Sequence, residues 1–220
     1  MSERGALPRV LPFIVYLAFL LLTDGLERLG FPSSELRWLY VVKIGAVVAV
    51  LWAFRRSYTE LAEWRLSAAS AALAVVSGAV VLVLWINLNA SWMAVGSSAG
   101  FDPRTNGALD WLLVMPRIAG AALVVPVMEE LFWRSFLMRW MESADFVRVR
   151  PAAVGAKAFL VTAVLFGIEH SLWLAGIVAG VVYGLLYMRS TNLWTAVLSH
   201  GVTNGLLGVW IISTGQWTYW

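Results

Sequence analysis

No charged residue occurs between Arg65 and Asp102, and within that stretch Leu66–Leu88 reads as one apolar helix. A membrane span needs about 20 mostly apolar residues, so this run is long enough to cross a bilayer. Similar runs lie at Val10–Thr23, Leu36–Phe54, Trp111–Val127, Ala152–Ile168, Trp173–Met188 and Leu193–Ile212. They are continuous rather than alternating, which argues against β spans. Composition agrees: the chain is 60% apolar and 13% charged, where a soluble domain is about 45–50% apolar and about 25% charged. So little polar surface cannot cover a soluble domain of 220 residues. The same hydrophobicity excludes a disordered chain. The absence of cysteine excludes disulfides, Cys-ligated zinc, iron–sulfur clusters and thiol catalysis.

The net charge of +3 reads as Lys/Arg anchoring of loops. No basic patch interleaved with aromatics points to nucleic acid, and none is expected as a partner. Connections are short except Asn87–Asp110, so residues 1–220 read as a single integral membrane domain, an all-α polytopic helix bundle. The basic leader (Arg4, Arg9) and first apolar run look like a signal peptide. Thr23-Asp24-Gly25 follows rather than a small-x-small cleavage site, so a retained anchor is expected. Trp38, Trp52, Trp85, Trp92, Trp111, Trp173, Trp194, Trp217 and Trp220 stand near run ends, where an interfacial aromatic belt would place them. Gly176, Gly180 and Gly184 recur every fourth residue, a small-residue stripe for close helix packing.

Function is sought where charge enters the apolar runs. A charge at mid-membrane costs about 2.5–3.5 kcal/mol on insertion scales, so such residues tend to be paired or functional. The densest breach is Glu129-Glu130-Leu131-Phe132-Trp133-Arg134. On a helix Glu130 and Arg134 are i,i+4 in the favourable acid-first order, so Arg134 can hold Glu130 ionised. Glu129 lies about 100° around the helix and is left for general-base work, a role that burial suits. The two histidines strengthen this reading. His170 closes Phe166-Gly167-Ile168-Glu169-His170, and His200 shares a helix face with Asn204, with Gly201 and Gly205 leaving room beside them.

Two rivals use other residues. Gly96-Ser97-Ser98-Ala99-Gly100 matches the serine nucleophile pattern Gly-x-Ser-x-Gly, but no strand signal accompanies it. A proton-coupled transporter would account for intramembrane Glu, His and Arg, and for Lys43 and Arg117, to which hydrolysis gives no role.

Glu129-Glu130-x-x-x-Arg134, then Phe166-x-x-x-His170, then His200-x-x-x-Asn204, in this order and at about these separations, resembles the CAAX protease and bacteriocin-processing (CPBP, or Abi) family of intramembrane proteases. The wording around the first motif and the chain length are most similar to the bacterial CAAX prenyl protease-related proteins that accompany exosortase systems. The motifs span roughly residues 115–207.

The resemblance implies peptide-bond hydrolysis in the bacterial cytoplasmic membrane. Its substrate would be a membrane-associated or lipid-modified protein or peptide. Carried over by position, Glu129 and His170 would activate the water, and His200 and Asn204 would stabilise the oxyanion. Glu130, Arg134 and Phe166 would support the site. A non-catalytic immunity or binding protein is the alternative that the family also covers. The family has been described as metal-dependent, and zinc could take Glu129, His170 and His200 with one position open. His-Glu-x-x-His is absent, so the metal is left open.

Seven or eight crossings are at issue. If residues 110–141 form one helix, simple alternation puts Glu129 and His170 near opposite faces, where they could not share a water. A break at Pro126 would give eight transmembrane helices and bring them together, and eight is the expected count. Seven crossings give the cleaner Lys/Arg bias. Arg4, Arg9, Arg55, Arg56, Arg65, Arg139, Arg148, Arg150 and Arg189 then share one side, against Arg28, Arg37 and Arg104 on the other.

Overall fold

The computed structural model describes residues 3–96 and 100–220. Ser97, Ser98 and Ala99 of the Gly-x-Ser-x-Gly string lie outside the described residues. The long helices are α1 (Glu3–Arg28), α2 (Leu39–Ala53), α3 (Ala68–Asn87), α4 (Trp111–Trp140), α5 (Ala156–Ile168), α6 (Trp173–Ser190) and α7 (Leu193–Thr214). Among the described residues six segments are long and apolar enough to cross a membrane, with α2 extended back to Ser33, and α5 is a shorter apolar helix. The protein is therefore an integral membrane protein built from helices.

Local chemistry sets several helix starts. Ser67 Oγ accepts from the Ser70 N–H at 3.1 Å, Asp110 Oδ1 from Leu112 at 3.0 Å and Asn192 Oδ1 from Trp194 at 2.9 Å. Each satisfies a backbone donor that a helix N-terminus leaves unpaired. The long connection carries a small hairpin, β1 (Arg104–Thr105) and β2 (Ala108–Leu109). Its turn residues Asn106 and Gly107 have φ of 53° and 83°, the left-handed pair that a tight hairpin turn requires.

Pro126 does not break the chain. Residues 111–140 run as one helix with two π-helical stretches, Gly120–Val124 and Leu131–Leu137. The expected break, and with it the eighth crossing, is absent here. The wide turn explains how the proline is tolerated. In this register the Val125 N–H donates to Gly120 rather than Ala121, and Pro126 has no N–H to offer. The Ala121 carbonyl takes its hydrogen instead from the Asn204 amide of α7, at 2.9 Å.

The bundle has two distinguishable ends. At one, Arg9 pairs with Glu60 at 2.6 Å, Arg139 lies 3.8 Å from Glu60, and Ser135 bonds the same carboxylate. Burial alone would raise the Glu60 carboxyl, but Arg9 and Ser135 outweigh it and hold it below the ordinary value. Asn192 and Trp194 reach the carbonyls of Glu63 and Leu61 at this same end. At the other end Arg37 donates to the Arg104 carbonyl, Val95 N–H to Ser171 and Phe101 N–H to Trp217. These contacts gather the connections of an alternating bundle, in which the Arg-rich loops share one end.

The glycine stripe on α6 meets α5. A Cβ at Gly176 would lie 2.8 Å from Gly167 Cα, and one at Gly180 would lie 2.9 Å from the Ala163 carbonyl. Backbone contact this close leaves no room for side chains. Gly180→Leu should therefore lower the thermal midpoint in detergent, at a cost of about 1–3 kcal/mol for overpacking. An unchanged midpoint would show that the α5–α6 contact can open.

Candidate active site

Glu129 and Glu130 face the middle of the bundle from α4 and are both buried. Glu130 is held from two sides. Arg134 Nη1 donates to its Oε1 at 3.1 Å, and Arg134 Nε lies 3.1 Å from its Oε2. His200 Nδ1 is 3.0 Å from Oε1. Arg134 also donates to the Gly180 carbonyl at 3.3 Å and lies 4.2 Å from the centre of the Phe166 ring. One helical turn thus builds a neutralised pair, as the i,i+4 spacing predicts. Phe166 sits beneath its guanidinium and edge-on to His200.

Glu129 has no such clamp. Its Oε2 is buried and accepts no hydrogen bond. The nearest histidine atom is His200 Nε2, at 4.0 Å. A carboxylate only accepts, so the proton in the His200–Glu130 contact sits on Nδ1. His200 is stacked on Tyr183 with centroids 4.9 Å apart and planes 17° from parallel. The Tyr183 hydroxyl donates to Thr203 Oγ1 at 2.8 Å, which donates on to the Gly78 carbonyl of α3 at 2.9 Å. The ring is thereby fixed in both tilt and tautomer.

His170 follows the C-terminal end of α5. Its Nδ1 lies 2.7 Å from the Phe166 carbonyl, which must accept, so Nε2 carries the lone pair. Ligand atoms of Glu129, Glu169 and His170 all lie within 4.8 Å of one another. The continuous helix therefore does not separate Glu129 from His170. The expectation that it would assumed a full-length fifth crossing. Instead α5 has 13 residues, about 20 Å of rise, and its end brings His170 to Glu129. Pro151–Ala153 forms a separate turn before it.

Glu169 is the site residue that sequence reasoning missed, though the quoted motif contains it. Trp133 of α4 donates its indole N–H to Glu169 Oε1 at 3.0 Å. The signal was a second carboxylate next to a histidine at the close of an apolar run. Trp85, assigned to the interfacial belt, stands edge-on to His170 at 5.2 Å. Asn204 lies on the same cavity wall as His200, with one amide hydrogen committed to Ala121.

The residues would fit a metal ion in part. Two carboxylates and an imidazole are an ordinary set for zinc. His170 donating to a backbone carbonyl is the outer contact that metal-binding histidines usually make. The ligand atoms that converge within 4.8 Å are those of Glu129, Glu169 and His170, while His200, the other expected candidate, keeps its Nε2 4.0 Å from Glu129 Oε2.

A cavity of about 410 Å³ joins these groups, and Glu129, Glu169, His170, His200 and Asn204 all line it. Residues 111–206 match the family model described as type II CAAX prenyl endopeptidase Rce1-like. That segment opens with α4 and closes just past Asn204, so it contains every group of the cavity cluster just described. It leaves out α1 to α3 and spans less than half of the chain. The match supports the CAAX protease resemblance and a peptidase role. No curated protein and no solved structure matches the chain.

Proposed function

We propose that the protein is an intramembrane endopeptidase that hydrolyses a peptide bond of a membrane-associated or lipid-modified protein or peptide. One observation carries the reading: a buried, unclamped carboxylate oxygen on Glu129 faces a cavity shared with His170, Glu169 and His200, within the Rce1-like segment.

Glu129 takes a proton from a water held in the cavity. The lone pair on His170 Nε2 orients that water by accepting its other hydrogen, beside the Glu169 carboxylate that Trp133 holds in place. The hydroxide adds to the scissile carbonyl carbon. The oxyanion that forms accepts from the remaining Asn204 amide hydrogen and from His200 Nε2–H. His200 can donate there only when the ring carries both protons, because Nδ1–H is already directed to Glu130. The C–N bond then breaks, and Glu129 returns its proton to the leaving amine. Glu130 and Arg134 position His200 and do not touch substrate. Where zinc is required, Glu129, Glu169 and His170 would hold it, and it would supply a Lewis acid for the carbonyl and a more acidic water.

The Lys/Arg bias of seven crossings, with a short fifth helix, supports an orientation in a bacterial inner membrane with the Arg-rich end cytoplasmic. The link to an exosortase sorting system rests on the resemblance alone, and a map of the neighbouring genes tests it.

The deciding experiment uses the purified protein in nanodiscs with a Cys-farnesylated peptide, followed by mass spectrometry of the products. Cleavage is expected from wild type and lost in His200→Ala. Proton flux in liposomes that depends on Glu129, with no cleavage, would make the chain a transporter instead. Elemental analysis of active protein should show about one zinc per chain if the trio holds metal. Glu169→Gln should lower that content together with activity.

A further inference from the structure

Two cations line the same cavity and take no part in the hydrolytic cluster. Lys43 of α2 is buried, with Nζ 3.9 Å from the centre of the Tyr16 ring and 4.9 Å from that of Tyr40. Arg117 of α4 lies 4.7 Å from Tyr40, 4.2 Å from Phe101 and 5.5 Å from Trp220. Both groups thus reach one ring, Tyr40, whose hydroxyl donates to the Arg117 carbonyl at 3.1 Å. Among the described residues no carboxylate pairs with either cation. Arg117 Nε is buried without a hydrogen-bond partner.

Aromatic faces attract cations but accept no strong hydrogen bond from them. Two unpaired cations side by side in an apolar wall repel one another and lose hydration, and an anion bound between them would offset both costs. The anion must arrive from the cavity, because both residues line it together with Glu129 and His170. They also line the adjoining pocket toward the hairpin end, whose acids are Asp24, paired with Arg28 at 2.9 Å, and the exposed Glu27, which forms no ion pair with either cation.

We propose that Lys43 and Arg117 form an anion subsite that binds the free C-terminal carboxylate of the peptide substrate. The inference rests on the peptidase reading above. Arg117 stands twelve positions before Glu129 on α4, about 18 Å of helical rise. Side-chain reach shortens that gap, leaving room for a few extended residues of about 3.3–3.6 Å each. A substrate held by its carboxylate would therefore present a bond close to its C-terminus, and a planar guanidinium suits bidentate binding of that group.

The test measures binding and cleavage of a farnesylated peptide ending in a free acid, against its C-terminal amide, in phosphatidylcholine nanodiscs. Binding is read by fluorescence anisotropy in a Glu129→Gln background, so no turnover is needed. The acid is expected to bind about 10- to 100-fold more tightly than the amide, the range of a charged hydrogen-bonded contact. Arg117→Gln and, independently, Lys43→Gln should collapse that ratio, and in cleavage the loss should appear in KM more than in kcat. The ratio within each variant is the readout, so a partial loss of folded protein cancels. Equal affinity for acid and amide overturns the subsite and leaves the peptidase reading standing. Acid preference without cleavage by wild type supports the subsite and counts against the peptidase reading. If Arg117→Gln instead releases phosphatidylglycerol and leaves the acid-to-amide ratio intact, the anion is a lipid phosphate and the proposal fails.

Discussion

Glu129→Gln should remove peptide cleavage by about 10²–10⁴-fold, the usual contribution of a general base, with little change in thermal midpoint. Glutamine keeps the volume and removes the proton acceptor. Because Glu129 Oε2 accepts no hydrogen bond, the substitution breaks no contact that holds the fold. The neighbouring carboxylate gives the contrast. Glu130→Gln touches both Arg134 and His200, so it should lower stability and activity together. Adjacent glutamates on one helix would thus separate by readout. If Glu129→Gln cleaves at the wild-type rate in folded protein, the base lies elsewhere and Glu169 becomes the first residue to test.

The largest stability effect is expected at Arg134. Arg134→Met leaves the fully buried Glu130 carboxylate with His200 as its remaining charged-group contact. Breaking a buried pair by removing one partner costs about 3–5 kcal/mol, because the surviving charge has neither water nor counter-ion. The arginine also loses its bond to Gly180 and its place over Phe166. Thermal unfolding in detergent should therefore show a large drop. Adding Glu130→Leu to Arg134→Met should recover much of that loss without restoring cleavage, since His200 would still lack its orienting acceptor. A wild-type midpoint for Arg134→Met would falsify the pairing as a source of stability.

The span positions were legible because hydropathy is a local property. Leu66–Leu88 and Leu193–Ile212 lie within a few residues of α3 and α7. The Glu130–Arg134 pair was legible for a similar reason, since one helical turn contains both partners. Asn204 was read only as a possible oxyanion donor. Its bond to Ala121 follows from the register of another helix, where a π turn and a proline together leave one carbonyl without a backbone donor. Glu169 is the counterpart on the site side. Its neighbours Trp133 and Glu129 come from α4, and periodicity within its own segment points to neither.

Sequence by itself determined that this chain crosses a membrane, roughly where it does so, and which few charges enter the apolar runs. Those features depend on the transfer of each residue from water to hydrocarbon, which is nearly additive along the chain. Tertiary structure alone decided that α4 stays whole through Pro126 and that the end of a short α5 meets Glu129. It also decided that Lys43 and Arg117 face the cavity that holds Glu129 and His170. Depth, register and the facing of one helix toward another depend on contacts between distant segments. Here those contacts run through glycine-lined backbone packing between α5 and α6 and a side-chain bond from α7 to α4.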